Sequence, residues 1–172
     1  PYLLFVIALA TAIIVNEKAD LHLWFNTCHT TFADFFFRYY TKVGEWVPFV
    51  VGAALLFYRY RAAILVLGSH IAAGVVTLIL KRICNMPRPK RYFGEFFPDI
   101  DLPQVLGVHM HSSRSFPSGH TTAAFAFFLS LAFLTKNKPL QFFYCLLAIL
   151  VGYSRIYLSQ HFATDVLAGS II

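Results

Sequence analysis

The chain has 172 residues, of which 58% are hydrophobic, 17% aromatic and 13% charged, with a formal net charge of +6. An average soluble domain is roughly a quarter charged, so this chain has too little polar side chain to cover a water-soluble globule. Disordered, collagen-like and coiled-coil chains are excluded by the same composition, and a mean hydropathy of +0.64 makes lipid the expected surroundings.

Residues 2–15 are apolar and short for a crossing, and are expected to belong to a spanning helix that begins before them. No cleavable leader is expected, because the run lacks a basic start and a small-residue cleavage site. Residues 16–20 close this run. From Leu21 the apolar residues Leu21, Trp24, Phe25, Cys28, Phe32, Phe35, Phe36 and Tyr39 recur at steps of three and four, with His22, Asn26, Thr30, Asp34 and Arg38 between them. This pattern predicts one amphipathic helix lying at the membrane surface.

A second span is predicted over 43–58, with Glu45, Trp46 and Pro48 at its start, where an interfacial Trp and a first-turn Pro are at home. Arg59 and Arg61 end it. Residues 62–80 hold no charge for nineteen residues, about 28 Å of helix at 1.5 Å per residue. Further spans are predicted over 117–135, 140–157 and 162–172, the last expected to continue. The expected fold is therefore all-α: one domain over 1–172, an integral membrane bundle of six transmembrane helices with the first and last truncated, plus the interfacial helix.

Arg59 and Arg61 in one turn, and Lys136 and Lys138 in another, have no acid beside them, which places both turns in the cytoplasm. The loop over 82–116 then falls on the opposite side with Arg82, Arg88, Lys90, Arg91 and Arg114. Basic residues on the side that insertion disfavours point to a bound anion. Cys28, Cys84 and Cys145 show no paired or metal-ligand spacing, so neither a disulfide framework nor a zinc site is expected.

Three groups of residues carry the chemistry. Lys81 is followed after six residues by Arg88 and Pro89. Pro117, Ser118, Gly119 and His120 open the fourth span. Ser154 and Arg155 are followed after five residues by His161 and then after three by Asp165. A phosphoryl group in transfer spreads negative charge over its oxygens, so its site needs fixed positive donors, and Lys81, Arg88 and Arg155 supply three. Arg88 lies between two prolines, which predicts an extended, stiff mount for a bidentate grip.

A helix starting at Pro117 leaves unpaired N–H groups and partial positive charge at its end, a seat for an anion. There Gly119 permits close approach, Ser118 offers a hydroxyl, and His120 is placed to protonate a leaving oxygen. His161 and Asp165 stand four apart on one helical face, so the carboxylate can orient the ring as a nucleophile.

In order and spacing these residues match KxxxxxxRP, PSGH and SRxxxxxHxxxD, and the chain resembles the type 2 phosphatidic acid phosphatase (PAP2) superfamily over 81–165. The eleven specified positions are all filled; at about one chance in twenty each, coincidence is on the order of 10⁻¹⁴. The resemblance implies a six-helix membrane core and a phosphohistidine intermediate. It implies His161 as nucleophile, Asp165 as its orienter and His120 as acid then base, with Lys81, Arg88, Ser118, Gly119 and Arg155 on the phosphate.

Neither a metal nor another cofactor is implied. The partners expected are a lipid phosphate and the bilayer, with no nucleic acid. The substrate would be a phosphate monoester or diphosphate of a lipid, such as phosphatidate, phosphatidylglycerol phosphate or a polyprenyl diphosphate. The sidedness puts the site toward the periplasm if the membrane is a bacterial inner one.

Vanadium haloperoxidases and soluble acid phosphatases share the signature but lack such spans. A lipid phosphotransferase would use the same residues, and a transport or lipid-binding protein would have no use for His120, His161 and Asp165 together. Outside the signature, His70 reads as a hydrogen-bonded core histidine. His109 and His111, with Asp99 and Asp101, read as the rim of an entrance rather than a metal site. Arg114, Lys90 and Arg91 are candidates for a second phosphate or neighbouring headgroups.

Overall fold

The computed structural model describes residues 1–172 and is all helical. Its helices are α1 (Tyr2–Val15), α2 (Lys18–Phe25), α3 (Thr31–Tyr40), α4 (Val43–Tyr58), α5 (Tyr60–Cys84), α6 (Pro89–Phe96), α7 (Gly119–Leu134), α8 (Lys138–Tyr157) and α9 (Ala163–Ile171). Six of these, α1, α4, α5, α7, α8 and α9, coincide with the six apolar runs of the sequence. Two stretches, Tyr60–Phe96 and Lys138–Tyr157, are long and apolar enough to cross a bilayer.

Helix α7 is the centre of the bundle and packs against α4, α5, α8 and α9. Its Ala124, Phe125, Phe127 and Phe128 meet Val66 of α5 and Ala148 and Val151 of α8 in the largest buried cluster. The outer faces are apolar too. Only 22% of the apolar window in Tyr60–Phe96 is buried, and Ile64, Ile71, Val75, Leu78 and Ile79 stand exposed. A core helix of a soluble protein would bury such residues, so this exposure fits contact with lipid chains.

The structure corrects several sequence expectations. The single surface helix is two, because Asn26 ends α2 and Thr30 caps α3 by accepting a hydrogen bond from Ala33 N–H at 3.1 Å. On α2 the polar His22 and Asn26 are buried against the bundle together with Leu21, whereas Trp24 and, on α3, Phe32 and Phe35 face outward, where an interfacial helix meets lipid. The loop after α5 contains α6, with Pro89 as its first residue, a position that needs no N–H partner.

Helix α5 runs on at both ends past the uncharged stretch, so Lys81 and Arg82 lie in its last turn. Pro48, expected in the first turn of its span, sits inside α4. Apolar content records where lipid touches a helix; backbone hydrogen bonding decides where the helix stops.

Candidate active site

Successive helices alternate in direction, so one end of the bundle collects the starts of α4, α7 and α9 and the ends of α5 and α8. Those five termini carry Glu45, His120, Asp165, Lys81 and Arg155. Helix starts present positive dipole ends, and the basic side chains come from helix ends, so this end of the molecule is built to receive negative charge.

The turn from α8 to α9 is fixed by Ser159, whose φ of 49° lies in the left-handed region. Gln160 and His161 both donate their N–H to the Arg155 carbonyl, at 3.0 and 3.1 Å. That geometry ties Arg155 to His161 and explains why five residues separate them. Asp165 lies in the first turn of α9, where its Oδ2 accepts from Phe162 N–H at 2.9 Å and from the Ser115 hydroxyl at 2.5 Å. His161 Nδ1 is 3.4 Å from the same oxygen, at the outer limit of a hydrogen bond, which leaves Nε2 as the nitrogen without a protein partner. His161 and Asp165 are almost entirely buried.

The other two stretches close on this turn. Ser118 N–H donates to the Asp165 carbonyl at 3.0 Å, joining the start of α7 to α9. Ser118 is fully buried and its Oγ accepts from Thr121 Oγ1 at 2.8 Å, so its hydroxyl is engaged inside the protein. Arg88 has the extended backbone expected of it and is the N-cap of α6. Its Nε donates to the Ser113 carbonyl at 2.9 Å and its Nη1 to the carbonyl and Oε1 of Gln160, at 3.2 and 3.1 Å. Lys81 Nζ donates to the Arg114 carbonyl at 2.8 Å.

Arg155 Nη1 donates to Thr41 Oγ1 at 2.8 Å, while its buried Nε has no partner. Gly119 has Thr77 and Lys81 near the place a side chain would occupy, both at ordinary van der Waals distance, so helix packing does not require the glycine.

His120 meets a residue that the sequence reading left outside the site. Its Nε2 lies 2.7 Å from Glu45 Oε1. Both line a cleft of about 340 Å³ with Thr41, Arg88, Arg155 and Gln160. His109 and His111 line this cleft and the adjoining one, about 580 Å³, that also exposes Lys81, Lys90 and Arg114. The two rings stand 5.0 Å apart, and no three His, Cys, Asp or Glu side chains gather as a metal site.

Burial lowers the proton affinity of His161 well below the ordinary imidazole value, and the charges of Arg88, Arg155, Lys81 and His120 press in the same direction. Burial does the same to Arg88, opposed by Asp165. The arrangement is a neutral, oriented imidazole facing several cations, which suits attack on a phosphorus that carries anionic oxygens.

The model of the PAP2 superfamily matches residues 62–172. Among curated proteins, the chain is 27% identical over 158 residues to the lipid A 4'-phosphatase of Bacteroides thetaiotaomicron, covering 89% of this chain and 70% of that protein. Among solved structures, it is similar to LpxE of Aquifex aeolicus, with a TM-score of 0.76 and 26% identity over 90% of this chain and 88% of that one. It is also similar to a transmembrane PAP2-type phosphatidylglycerolphosphate phosphatase of Bacillus subtilis, with a TM-score of 0.69 and 26% identity, covering 98% and 87%. The first curated relatives are matched over 37% to 70% of their own length.

Proposed function

Because the chain belongs to the PAP2 superfamily of metal-independent phosphatases, we propose that it is an integral membrane lipid phosphatase that works through a phosphohistidine. Residues 1–172 act as one unit, with α1, α4, α5, α7, α8 and α9 crossing the bilayer and the site on the outer, periplasmic face of a bacterial inner membrane. The named relatives are phosphatases of lipid A and of phosphatidylglycerol phosphate, and the substrate class here is a lipid phosphate monoester or diphosphate.

In this reading Lys81, Arg88, Arg155 and the N–H groups at the start of α7 hold the phosphoryl oxygens, and Gly119 lets them approach. Ser118 acts from behind, by fixing the start of α7 to α9. His161 Nε2 attacks phosphorus, the bond from phosphorus to the lipid oxygen breaks, and His120 gives that oxygen its proton. Asp165, held by Ser115, steadies the positive ring. His120 then takes a proton from water as the water oxygen attacks phosphorus, which releases phosphate and restores His161.

The observation that carries this reading is the geometry around His161: Nδ1 turned to a carboxylate that already accepts two other hydrogen bonds, in a turn whose Gln160 lines one cleft with Arg88, Arg155 and His120. The test is phosphate release from a panel of lipid mono- and diphosphates in detergent, with chelator and with vanadate. Release should survive chelation, stop with vanadate, and fall at least 10³-fold in His161→Ala with the fold intact. Wild-type turnover in that variant would remove His161 as nucleophile, and strict dependence on an added divalent metal would overturn the mechanism.

A further inference from the structure

Gln160 stands at one of the five unspecified positions between Arg155 and His161, yet it is buried and both ends of its side-chain amide are engaged. Oε1 accepts from Arg88 Nη1 at 3.1 Å, and Nε2 donates to the His109 carbonyl at 3.0 Å. The main chain acts on the same groups: its carbonyl accepts from Arg88 Nη1 at 3.2 Å and its N–H donates to the Arg155 carbonyl at 3.0 Å. One residue thus joins Arg88, Arg155 and the loop at the rim, and the next residue is His161.

The turn does not need this side chain in order to form. Ser159 is left-handed, and the N–H groups of Leu158, Gln160 and His161 close the turn by backbone bonds alone. An apolar side chain of similar size would fill the same space without the desolvation cost of an amide, so the partners of the amide are the reason for it.

Those partners set the direction of Arg88. A guanidinium carries five N–H donors. The Ser113 carbonyl takes the one on Nε, and Gln160 takes both on Nη1. Nη2 alone is left without a protein partner, and it is not sealed inside the protein. Arg88 lines both the cleft that holds Arg155 and His120 and the adjoining one that holds Lys81. With Nε and Nη1 occupied, the bidentate grip expected of Arg88 becomes a contact through a single nitrogen.

We propose that Gln160 is a positioning residue for phosphoryl transfer, which holds Arg88 so that Nη2 meets a phosphoryl oxygen. The proposal rests on the phosphatase reading above and deepens it. A free arginine must settle into one rotamer among many before it grips an anion, whereas this one is already fixed when the phosphate arrives.

The test is the affinity for orthovanadate, a tetrahedral oxyanion like phosphate, measured by calorimetry on the protein in detergent and set beside phosphate release from the lipid panel. Gln160→Met keeps the length and makes no hydrogen bond to Arg88. It should weaken vanadate binding and lower kcat/KM, each about 10-fold. In an Arg88→Ala background, where there is no guanidinium to hold, adding Gln160→Met should change vanadate affinity less than twofold.

A full further loss in that background would mark Gln160 as a support of the turn and overturn the proposal. Gln160→Asn draws the amide back from Arg88 by one methylene and should show the same pattern, so it serves where the Met variant does not fold. Wild-type vanadate affinity in either folded variant overturns the proposal and leaves the phosphatase reading standing. A wild-type protein that neither binds vanadate nor releases phosphate from any lipid in the panel overturns that reading, and this inference with it.

Discussion

Glu45 stands 2.7 Å from His120 Nε2, so that ring is held by a carboxylate much as His161 is held by Asp165. The hold leaves Nδ1 of His120 as the nitrogen available to a leaving oxygen. Glu45→Gln keeps the size and removes the charge, and should lower kcat about 10- to 100-fold with KM changed less than about threefold. A merely structural role would raise KM or lower the folded fraction instead, so steady-state kinetics on the folded variant separates the two.

The signature residues could be read from the sequence because their spacing is itself a local constraint. Five residues between Arg155 and His161 are what a left-handed turn at Ser159 needs. Glu45 and Ser115 carried no such mark. A single acid beside Trp46 and Pro48 reads as an interfacial residue, and Ser115 is one serine among several in a polar loop. Both reach the site only through helix packing and loop closure, which no spacing rule encodes.

Helix positions were legible where an apolar run is imposed by an outward apolar face, as in α5, or by burial in the bundle, as in α7. Boundaries set by hydrogen bonding were not, and the break at Asn26 and the helix after Pro89 are cases of this kind. The close approach of α4 to α7 depends on Gly44. A Cβ there would stand 3.1 Å from the His120 carbonyl and 3.2 Å from Ala124, tighter than ordinary packing on two counts. Gly44→Ala should push α4 outward by a few tenths of an ångström and loosen the neighbouring contact of Glu45 with His120.

The expected outcome is a loss of stability of about 1–3 kcal/mol, seen as a lower Tm in detergent, together with a fall in kcat. Where the spacing of α4 and α7 sets that contact, adding Glu45→Gln to Gly44→Ala should cost less in kcat than it does alone, because the contact is already weakened. Full additivity would separate the helix approach from the contact of Glu45 with the proposed acid, His120.

At the scale of the whole molecule, the bundle hides histidines that an unfolded chain would expose, which makes its stability depend on pH. His22, in α2 and outside the spanning helices, is buried between Phe93 and Phe162. Its proton affinity is lowered to about 4, first by burial, with Lys18 adding to the effect and Asp165 opposing it. The ordinary value is about 6.5, so between about pH 6.5 and 4 the unfolded chain binds a proton that the folded one refuses.

Stability therefore falls as pH falls through that window, by about 2 kcal/mol between pH 7 and pH 5 for His22 alone. His161, held low for the same reason, adds in the same direction. Denaturation in one detergent, followed at several pH values, checks this. His22→Gln carries no titrating proton in either state, so its curve should be flatter than the wild type by that amount, even if the variant is less stable throughout. Parallel curves for the two proteins would show that His22 is protonated in the fold, and that the polar contacts of α2 with the Ser159 turn tolerate a charge beside the proposed nucleophile.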